Sequence, residues 1–292
     1  MTSVTENAYA KLNISLDVTG KRPDGFHDML MVMQTISLCD EVTVTLCDGE
    51  SFAETNLHFI PGDERNLAVK AASAFFKASG MDGVGAHIKL FKNIPVGAGM
   101  AGGSSDAAAV IRALNRLTGE KMSPRELEAI AAGVGSDVAF CISGGTCLAS
   151  GRGEELKRLP MMPDCGIVVT KPEFSISTPE LFKKLDSVKL RCHPDTDGLC
   201  EAIKRGDLLG VSRRMYNVFE DVPDRRMKTI ASIKSRILDT GALGSVMTGT
   251  GSAVFGVFES EKAAGDAVFE LAPEFDCCRL ARPQPAIFDA DN

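Results

Sequence analysis

The segment Pro95 to Ser105, PVGAGMAGGSS, constrains the fold of this chain more than any other stretch. It follows residues 86–91, which predict a strand, and it precedes apolar residues at helical spacing from about 104 to 118. A loop of small residues at a helix start presents backbone N–H groups to which a polyphosphate can bind. The segment therefore predicts a phosphate site, although a helix cap with a flexible entry explains the same glycines.

Gly97, Gly99 and Gly102 also match the dinucleotide-binding pattern GxGxxG, but the elements around them do not. That fold needs a strand after the helix, with an acidic residue at its end. Here Ser123-Pro124-Arg125-Glu126 is a capping box that starts a second helix instead. The chain also lacks the GxxxxGK[ST] pattern, so the predicted phosphate loop belongs to neither of these two folds.

Strand and helix patterns follow one another in an order typical of an α+β fold. Residues 10–16 alternate between apolar and polar, which predicts a half-buried strand, and residues 66–79 predict a helix ending at Gly80. The chain ends with a strand, turn, strand, helix and strand, the order of an α+β sandwich. With 292 residues and a proline-containing stretch at 159–165, we predict two lobes, residues 1–160 and 161–292.

Charge and composition exclude several classes of protein. The formal net charge is −7, which argues against binding to nucleic acid. Without a long apolar run or a secretory signal at the start, we expect no membrane association and a cytoplasmic location. The nine cysteines form no CxxC pair and the four histidines form no HxxxH pair, so we predict no built-in metal site and cysteines that pack in the core.

Three further segments carry candidate functional residues, and each has two interpretations. Asp137 stands alone in a neutral, apolar segment, where it is either a helix cap or a base for a hydroxyl nucleophile. Lys11, on the same strand face as Asn13, is either solvated or part of a site. The stretch Thr248 to Ser252, TGTGS, joins two predicted strands and alone indicates only a hairpin turn.

Taken together, these segments indicate a function far more specifically than any one of them does alone. The stretches AYAKLNISL, IPVGAGMAGGSSDAAA and MTGTGSAVF resemble the three motifs of the GHMP small-molecule kinases, in the same order and at suitable separations. The stretches AKLNISLDVTGKRPDGFHDM, GSDVAFCISGGTCLASGRGEEL and STPELF are similar to the branch that phosphorylates 4-diphosphocytidyl-2-C-methyl-D-erythritol in the non-mevalonate isoprenoid route. The resemblance covers nearly the whole chain and is weakest between residues 185 and 240.

The resemblance implies a two-lobed GHMP kinase fold, with a ribosomal-protein-S5-domain-2-like N-terminal lobe and a ferredoxin-like α/β sandwich as C-terminal lobe. It implies phosphoryl transfer from ATP, with Mg²⁺ carried on the nucleotide, to the 2-hydroxyl of the methylerythritol. Asp137 is then the general base, and Lys11 stabilises charge and positions the hydroxyl. The expected partner is this small molecule, and we expect a monomer or a weak homodimer.

The same resemblance implies which residues bind each substrate. For ATP these are Asn66, Pro95, Val96, Gly97, Ala98, Gly99, Met100, Ala101, Gly102, Gly103, Ser104 and Ser105. For the cytidyl substrate they are Asn13, Phe26, His27, Thr178, Phe182, Gly249, Thr250 and Gly251. Asn13 and His27 suit the polar edge of a cytosine and Phe182 its face. Phe182 at helical spacing also suits a core, and His27 after a turn also suits solvent.

Some residues depart from the family pattern. Phe26 replaces a usual tyrosine and Met33 replaces an aromatic, which predicts looser stacking of cytosine. Met100-Ala101 replaces Leu-Gly, and because Ala101 has a Cβ, the loop must avoid a positive φ there or incur a modest energetic cost. Ala139 replaces a proline and Thr248 a serine.

The sequence leaves two rival functions. A GHMP kinase for mevalonate, homoserine or a sugar is disfavoured by Asn13 and by the GFH segment at residues 25–27. A non-enzymatic phosphoanion-binding or RNA-binding module is disfavoured by the acidic charge and by an aromatic content of 6%.

Overall fold

The computed structural model describes residues 3–190 and 192–288, which form two β-sheets with helices packed against them. The strands are β1 (Ser3–Lys21), β2 (His27–Asp48), β3 (Phe52–Thr55), β4 (Val84–Phe91), β5 (Thr146–Ser150), β6 (Glu155–Leu159), β7 (Gly166–Lys171), β8 (Tyr216–Asn217), β9 (Gly244–Met247), β10 (Val254–Phe258) and β11 (Cys277–Ala281). The helices are α1 (Leu67–Ser79), α2 (Gly102–Leu117), α3 (Pro124–Val134), α4 (Ser136–Ser143), α5 (Thr178–Leu185), α6 (Thr196–Lys204), α7 (Leu208–Ser212), α8 (Arg226–Asp239) and α9 (Glu261–Leu271). No helix in these ranges is long and apolar enough to cross a membrane.

The first sheet has the order β3-β4-β2-β1-β8, with β5 paired to β2 and β6. The helices α1 to α4 pack beside it and beside one another. Local signals in the sequence set their ends. The Asn66 side chain accepts the N–H of Ala68 at the start of α1, and Gly80 ends that helix with φ of 65°. Ser123 and Glu126 form the predicted capping box of α3.

The second sheet has the order β11-β7-β10-β9, and all neighbouring strands are antiparallel. Helices α8 and α9 pack on it. The predicted order of strand, turn, strand, helix and strand at the end of the chain is confirmed by β9, β10, α9 and β11.

Strand β1 is buried on both faces, so the prediction of a half-buried strand is wrong. Its apolar residues Ala10, Leu12 and Ile14 share a core with the second sheet and the glycine loop. Its polar residues Lys11 and Asn13 are also buried, 4% and 0% exposed. The alternation predicted the strand correctly, but Lys11 and Asn13 on its polar side line a cavity and are not exposed on the surface.

The division into residues 1–160 and 161–292 stays a prediction. The chain changes sheets between β6 and β7, across the predicted linker. After that point it returns twice to the first sheet. Strand β8 pairs in parallel with β1, and Pro283 and Ala286 form bridges to Ile36 and Gly144.

The cysteines follow the prediction in part. Five of them are buried, namely Cys141, Cys147, Cys165, Cys200 and Cys278. Cys39, Cys47 and Cys277 are half-buried, and Cys192 is exposed, so the core interpretation is wrong for Cys192.

Candidate active site

Three segments that are distant in the sequence meet at β1. The backbone N–H of Lys11 donates to the Met100 carbonyl at 3.1 Å, and that of Asn13 donates to the Thr248 hydroxyl at 3.0 Å. The Thr248 hydroxyl donates in turn to the Gly99 carbonyl at 3.2 Å. The glycine loop and the β9–β10 turn are therefore fixed to one strand, and two neighbouring cavities lie beside them.

The first cavity has a volume of about 700 Å³, a size typical of small-molecule sites. It brings together both predicted catalytic residues and most of the predicted substrate residues. Those that line it are Lys11, Asp137, Asn13, Phe26, His27, Thr178, Phe182, Gly249 and Thr250. Gly251 is not among its lining residues, and a Cβ at that position would lie 2.6 Å from the sulfur of Met247. The small size of Gly251 therefore serves packing inside the second lobe.

Lys11 connects the strand to the carboxylate of Asp137. Its Nζ donates to Asn13 Oδ1 at 2.6 Å and lies 3.7 Å from Asp137 Oδ2. Lys11 is buried, so the alternative of a solvated lysine is wrong. The Asn13 amide is occupied on both sides, by Lys11 and by the sulfur of Met31 at 3.3 Å. This geometry gives Asn13 a role in holding Lys11, and its contact with a base stays a prediction.

Asp137 lies in the first turn of α4, whose cap is Gly135. The alternative that Asp137 is itself the cap is therefore wrong. Its side chain is 35% exposed, which leaves it accessible from the first cavity. A carboxylate in the first turn of a helix, 3.7 Å from the Nζ of a buried lysine and open to the cavity, is placed to accept a proton from a hydroxyl bound there.

Three of the rings that line the first cavity, those of His27, Phe182 and Phe219, contact one another. His27 stacks on Phe182 with ring centroids 4.7 Å apart, and Phe182 meets Phe219 edge to face at 4.9 Å. His27 Nε2 is also 2.7 Å from Asp186 Oδ1. His27 is thus not solvated, and Phe182 is only half-buried at the cavity wall. No base fits between these two rings as they stand, so a base stacking on Phe182 requires that His27 move or that another face be used.

Sequence reasoning missed several residues of this cavity. Arg152 lies with its guanidinium carbon 5.0 Å from the centre of the Phe26 ring. Lys183 on α5 and Asp186, the residue that caps the end of α5, also line this cavity. The signal available was weak, because these charges stand in segments with many other charges. The spacing of four residues between Phe182 and Asp186, across the end of a predicted helix, was the best indication for Asp186.

The second cavity, of about 570 Å³, is lined by the glycine loop. It brings together Asn66 and every predicted ATP residue from Pro95 to Ser104. Ser105 is not among them. Its hydroxyl donates to the Tyr9 carbonyl at 2.5 Å and contacts the Cys141 sulfur, so it ties α2 to β1.

The two cavities share a wall. Gly99, Ala101, Ser104 and Thr178 line both of them. Thr178 lies at the start of α5 and its hydroxyl is 2.7 Å from that of Thr250 in the β9–β10 turn. A group bound in the second cavity therefore lies next to the Lys11 and Asp137 side chains of the first.

The positions of Gly99, Gly102 and Gly103 in the loop differ in how much space a side chain would have. A Cβ on Gly99 would lie 2.3 Å from the Thr248 carbonyl, and one on Gly102 would lie 3.2 Å from Ile94. These two glycines permit close packing of the protein. Gly103 differs, because a Cβ there would meet nothing closer than Leu67 at 3.7 Å.

Gly103→Val is therefore the cleaner test of the phosphate loop. We expect it to lower the affinity for ADP about tenfold or more, since a β-branched side chain would stand where phosphate oxygens approach backbone N–H groups. Gly133→Val is the matched control, because Gly133 is also a helical glycine and has open space around it. Titration calorimetry measures the affinity, and an unchanged dissociation constant would mean that the loop serves only as a helix cap.

Ala101 adopts the left-handed conformation that the sequence predicts to be costly, with φ of 58° and ψ of 28°. It directly precedes α2, which begins at Gly102 rather than at the predicted residue 104. The chain reverses at this point to bring the loop against β1, and a glycine would allow that turn without strain.

Ala101→Gly should raise the free energy of unfolding by about 0.5 to 1 kcal/mol. Relief of the left-handed alanine is worth about 1 to 2 kcal/mol, and the added freedom of the unfolded chain offsets part of it. Ala98→Gly in the same loop is the control and should destabilise the protein, because Ala98 is buried in the core and has no positive φ. Urea unfolding measures both variants, and equal effects would contradict the strain argument.

A buried charge cluster of Asp40, Lys92 and Asp106 lies beneath the second cavity. Lys92 Nζ contacts one carboxylate oxygen of each aspartate. The other oxygen of Asp40 accepts the N–H groups of Asn93 and Ile94. Asp106 Oδ1 has no partner among the described residues. Burial raises the pKa of Asp106 to about 7, nearby Asp40 adds to the shift, and Lys92 opposes it.

This cluster predicts a pH dependence of stability with a definite sign. The folded protein holds a proton on Asp106 up to about pH 7, whereas the unfolded chain releases it near its ordinary pKa of 3.8. Asp106 therefore makes the free energy of unfolding fall as pH rises through this window, by up to about 1.4 kcal/mol per pH unit. Asp106→Asn should remove that decline between about pH 5 and 7. Urea unfolding across this range measures it, and parallel curves for both proteins would contradict the assignment.

Comparison with known proteins places these features in a family. Residues 66–145 match the model of the GHMP kinases N-terminal domain, and residues 199–276 match that of the GHMP kinases C-terminal domain. The chain is 43% identical over 264 residues to a 4-diphosphocytidyl-2-C-methyl-D-erythritol kinase of Lachnospira eligens, covering 90% of this chain and 91% of that protein. It is also 43% identical over 252 residues to the protein of that name in Clostridium beijerinckii, covering 86% and 90%.

A solved structure agrees with these relatives. The crystal structure of a 4-(cytidine 5'-diphospho)-2C-methyl-D-erythritol kinase superposes with a TM-score of 0.79 at 30% identity, covering 96% of this chain and 99% of that one. The predicted two-lobed α+β GHMP kinase fold is thereby confirmed, as is the prediction of a small-molecule kinase. The chain therefore belongs to the 4-diphosphocytidyl-2-C-methyl-D-erythritol kinase family of the GHMP kinases.

Proposed function

We propose that this protein transfers the γ-phosphoryl group of ATP to the 2-hydroxyl of 4-diphosphocytidyl-2-C-methyl-D-erythritol. The observation that carries the proposal is the pair of adjoining cavities. One is lined by the glycine loop and suits a polyphosphate, and the other holds Lys11 and Asp137 beside their shared wall. The curated relatives named above are kinases of this substrate, which supports the same reaction.

In this proposal Asp137 accepts the proton of the attacking hydroxyl. As the new oxygen–phosphorus bond forms, the bond between the γ-phosphorus and its bridging oxygen breaks, and ADP leaves with that electron pair. Lys11 lies 3.7 Å from Asp137 and is fixed by Asn13, so its charge faces both the hydroxyl and the incoming phosphoryl group. Preorganised charge of this kind stabilises the transition state without rearrangement.

Mg²⁺ would enter with the nucleotide. Within residues 3–190 and 192–288, no group of three or more His, Cys, Asp or Glu side chains is placed to hold a metal ion. This arrangement fits an ion held mainly by phosphates and water, to which Ser104 at the shared wall or Asp137 in the first cavity would add a protein oxygen. When bound, the ion neutralises charge on the phosphates.

A coupled assay for ADP release tests the reaction. The cytidyl substrate should support turnover, and mevalonate and homoserine at the same concentration should not. Turnover with mevalonate or homoserine instead would contradict the proposed substrate and show the activity of another branch of the GHMP kinases. The uridyl analogue should be poorer by roughly 10² in kcat/KM, because each buried unsatisfied polar group costs about 1 to 3 kcal/mol.

Phe182→Ala separates stacking on the face of the base from hydrogen bonding to its edge. It should weaken the cytidyl and uridyl compounds by a similar factor, because stacking does not read the edge of a ring. If the wild-type enzyme phosphorylates both compounds equally well, the assignment of a cytosine pocket is wrong.

A further inference from the structure

The His27 ring is held by two contacts at the wall of the first cavity. Its Nε2 lies 2.7 Å from Asp186 Oδ1, and its face stacks on Phe182 with an angle of 28° between the planes. Its side chain is only 9% exposed. These contacts fix the position of the ring and determine which nitrogen faces the protein.

Asp186 also fixes where the ring proton lies. Lys21 Nζ donates to Asp186 Oδ2 at 2.5 Å, and the hydrogen bonds from Lys21 and His27 lower the pKa of Asp186. The carboxylate is therefore ionised at neutral pH and only accepts hydrogen bonds, so the proton resides on His27 Nε2. In a neutral imidazole the other nitrogen, Nδ1, then carries a lone pair. Nδ1 makes no hydrogen bond with any described residue, which leaves it free to accept one from a ligand.

We infer that Asp186 is a positioning residue that holds His27 in its Nε2–H tautomer and thereby makes the first cavity prefer cytosine to uracil. The inference rests on the proposed function, because it requires a pyrimidine base beside His27. Cytosine presents an amino group, which donates to Nδ1. Uracil presents a carbonyl oxygen at the same position, so two acceptors would face each other.

The chemistry of aspartate–histidine pairs supplies the test. An asparagine in place of the aspartate preserves the geometry, but its amide N–H can donate to Nε2 and so stabilises the opposite tautomer. Asp186→Asn would then give Nδ1 a proton, which turns His27 from an acceptor into a donor. That change should weaken the binding of cytosine, because the Nδ1–H and the amino group are both donors. It should strengthen the binding of uracil, whose carbonyl oxygen can accept from Nδ1–H.

The chain offers a matched control. Asp17 and His193 form a second pair, with Asp17 Oδ1 2.9 Å from His193 Nδ1. Neither residue lines the first or the second cavity. Asp17→Asn therefore changes the same kind of pair without touching the base pocket, and it should leave the substrate preference unchanged.

The experiment measures kcat and KM for the cytidyl and uridyl compounds at about pH 8, above the ordinary titration range of imidazole. Wild type and Asp17→Asn should prefer the cytidyl compound by roughly 10². Asp186→Asn should reduce that preference about tenfold or more, through a higher KM for the cytidyl compound rather than a lower kcat. Asp186→Ala, which frees the ring, should also reduce the preference.

A second measurement observes the tautomer directly. Long-range ¹H–¹⁵N spectra of the histidine rings should show His27 protonated at Nε2 in the wild type and shifted toward Nδ1–H in Asp186→Asn. His27→Asn assigns the signal among the four histidines. This readout requires no substrate. If Asp186 had only a structural role, its substitution would not change the position of the His27 ring proton.

The outcomes separate the inference from the proposed function. An unchanged base preference in Asp186→Asn, or an unchanged His27 tautomer, overturns the inference while the kinase reaction stands. If the wild type does not phosphorylate the cytidyl compound, the proposed function fails and the specificity role of Asp186 fails with it, whatever the spectra show.

Discussion

Asp137→Asn should lower kcat by about 10² to 10⁴ while ADP still binds with nearly its wild-type affinity. Asparagine keeps the size of the side chain but cannot accept the hydroxyl proton, so the loss falls on the chemical step. Asp137 lines the first cavity and not the glycine-loop cavity, which is why nucleotide affinity should persist. Steady-state kinetics with the cytidyl substrate and calorimetry with ADP measure the two effects separately.

Glu261→Gln is the control for Asp137→Asn. Glu261 also lies in the first turn of a helix, α9, but it lines neither of these cavities. Its substitution should leave kcat unchanged. A kcat within threefold of wild type in Asp137→Asn would show that another group takes the proton.

Lys11→Met should lower kcat by about 10² to 10³, the scale of removing one preorganised charge from a transition state. Methionine has similar length and no charge, so it removes the ammonium that lies between Asn13 and Asp137. It also leaves the buried Asn13 Oδ1 without its partner, which should reduce the free energy of unfolding by about 1 to 3 kcal/mol. Kinetics and urea unfolding test both expectations.

Lys89→Met provides the matched control, since Lys89 lies on strand β4 of the same sheet and is exposed. It should change neither kcat nor stability appreciably. The double variant Lys11→Met with Asp137→Asn should lose less than the product of the single losses, because the two groups act on the same proton and phosphoryl transfer. Fully multiplicative losses would mean that the two residues act independently.

Several features followed from the sequence because they depend on residues within a few positions of one another. The end of α1 at Gly80, the capping box of Ser123 and Glu126, and the hairpin of β9 and β10 are of this kind. Each satisfies backbone N–H groups or permits a turn by short-range contacts, so the residue types alone predict it. The resemblance of the three motifs then gave the family and most residues of both cavities.

Other features depend on partners that are far away in the chain. Ser105 stands in the predicted phosphate loop, yet its hydroxyl is directed to the Tyr9 carbonyl, 96 positions away. Asp186 stands in the weakest part of the resemblance, and only the fold brings it to His27, 159 positions earlier. No pattern within a single segment indicates such a pair.

The sequence by itself determined the order of the elements, the position of the glycine loop and the kinase family. Only the tertiary structure decided that Lys11 is buried beside Asp137 and that Ala101 adopts a positive φ. The physical reason is the same for both. The second sheet, β1 and the glycine loop pack together in one core. The burial, ion pairing and backbone strain of a residue depend on what is packed against it rather than on its neighbours in sequence.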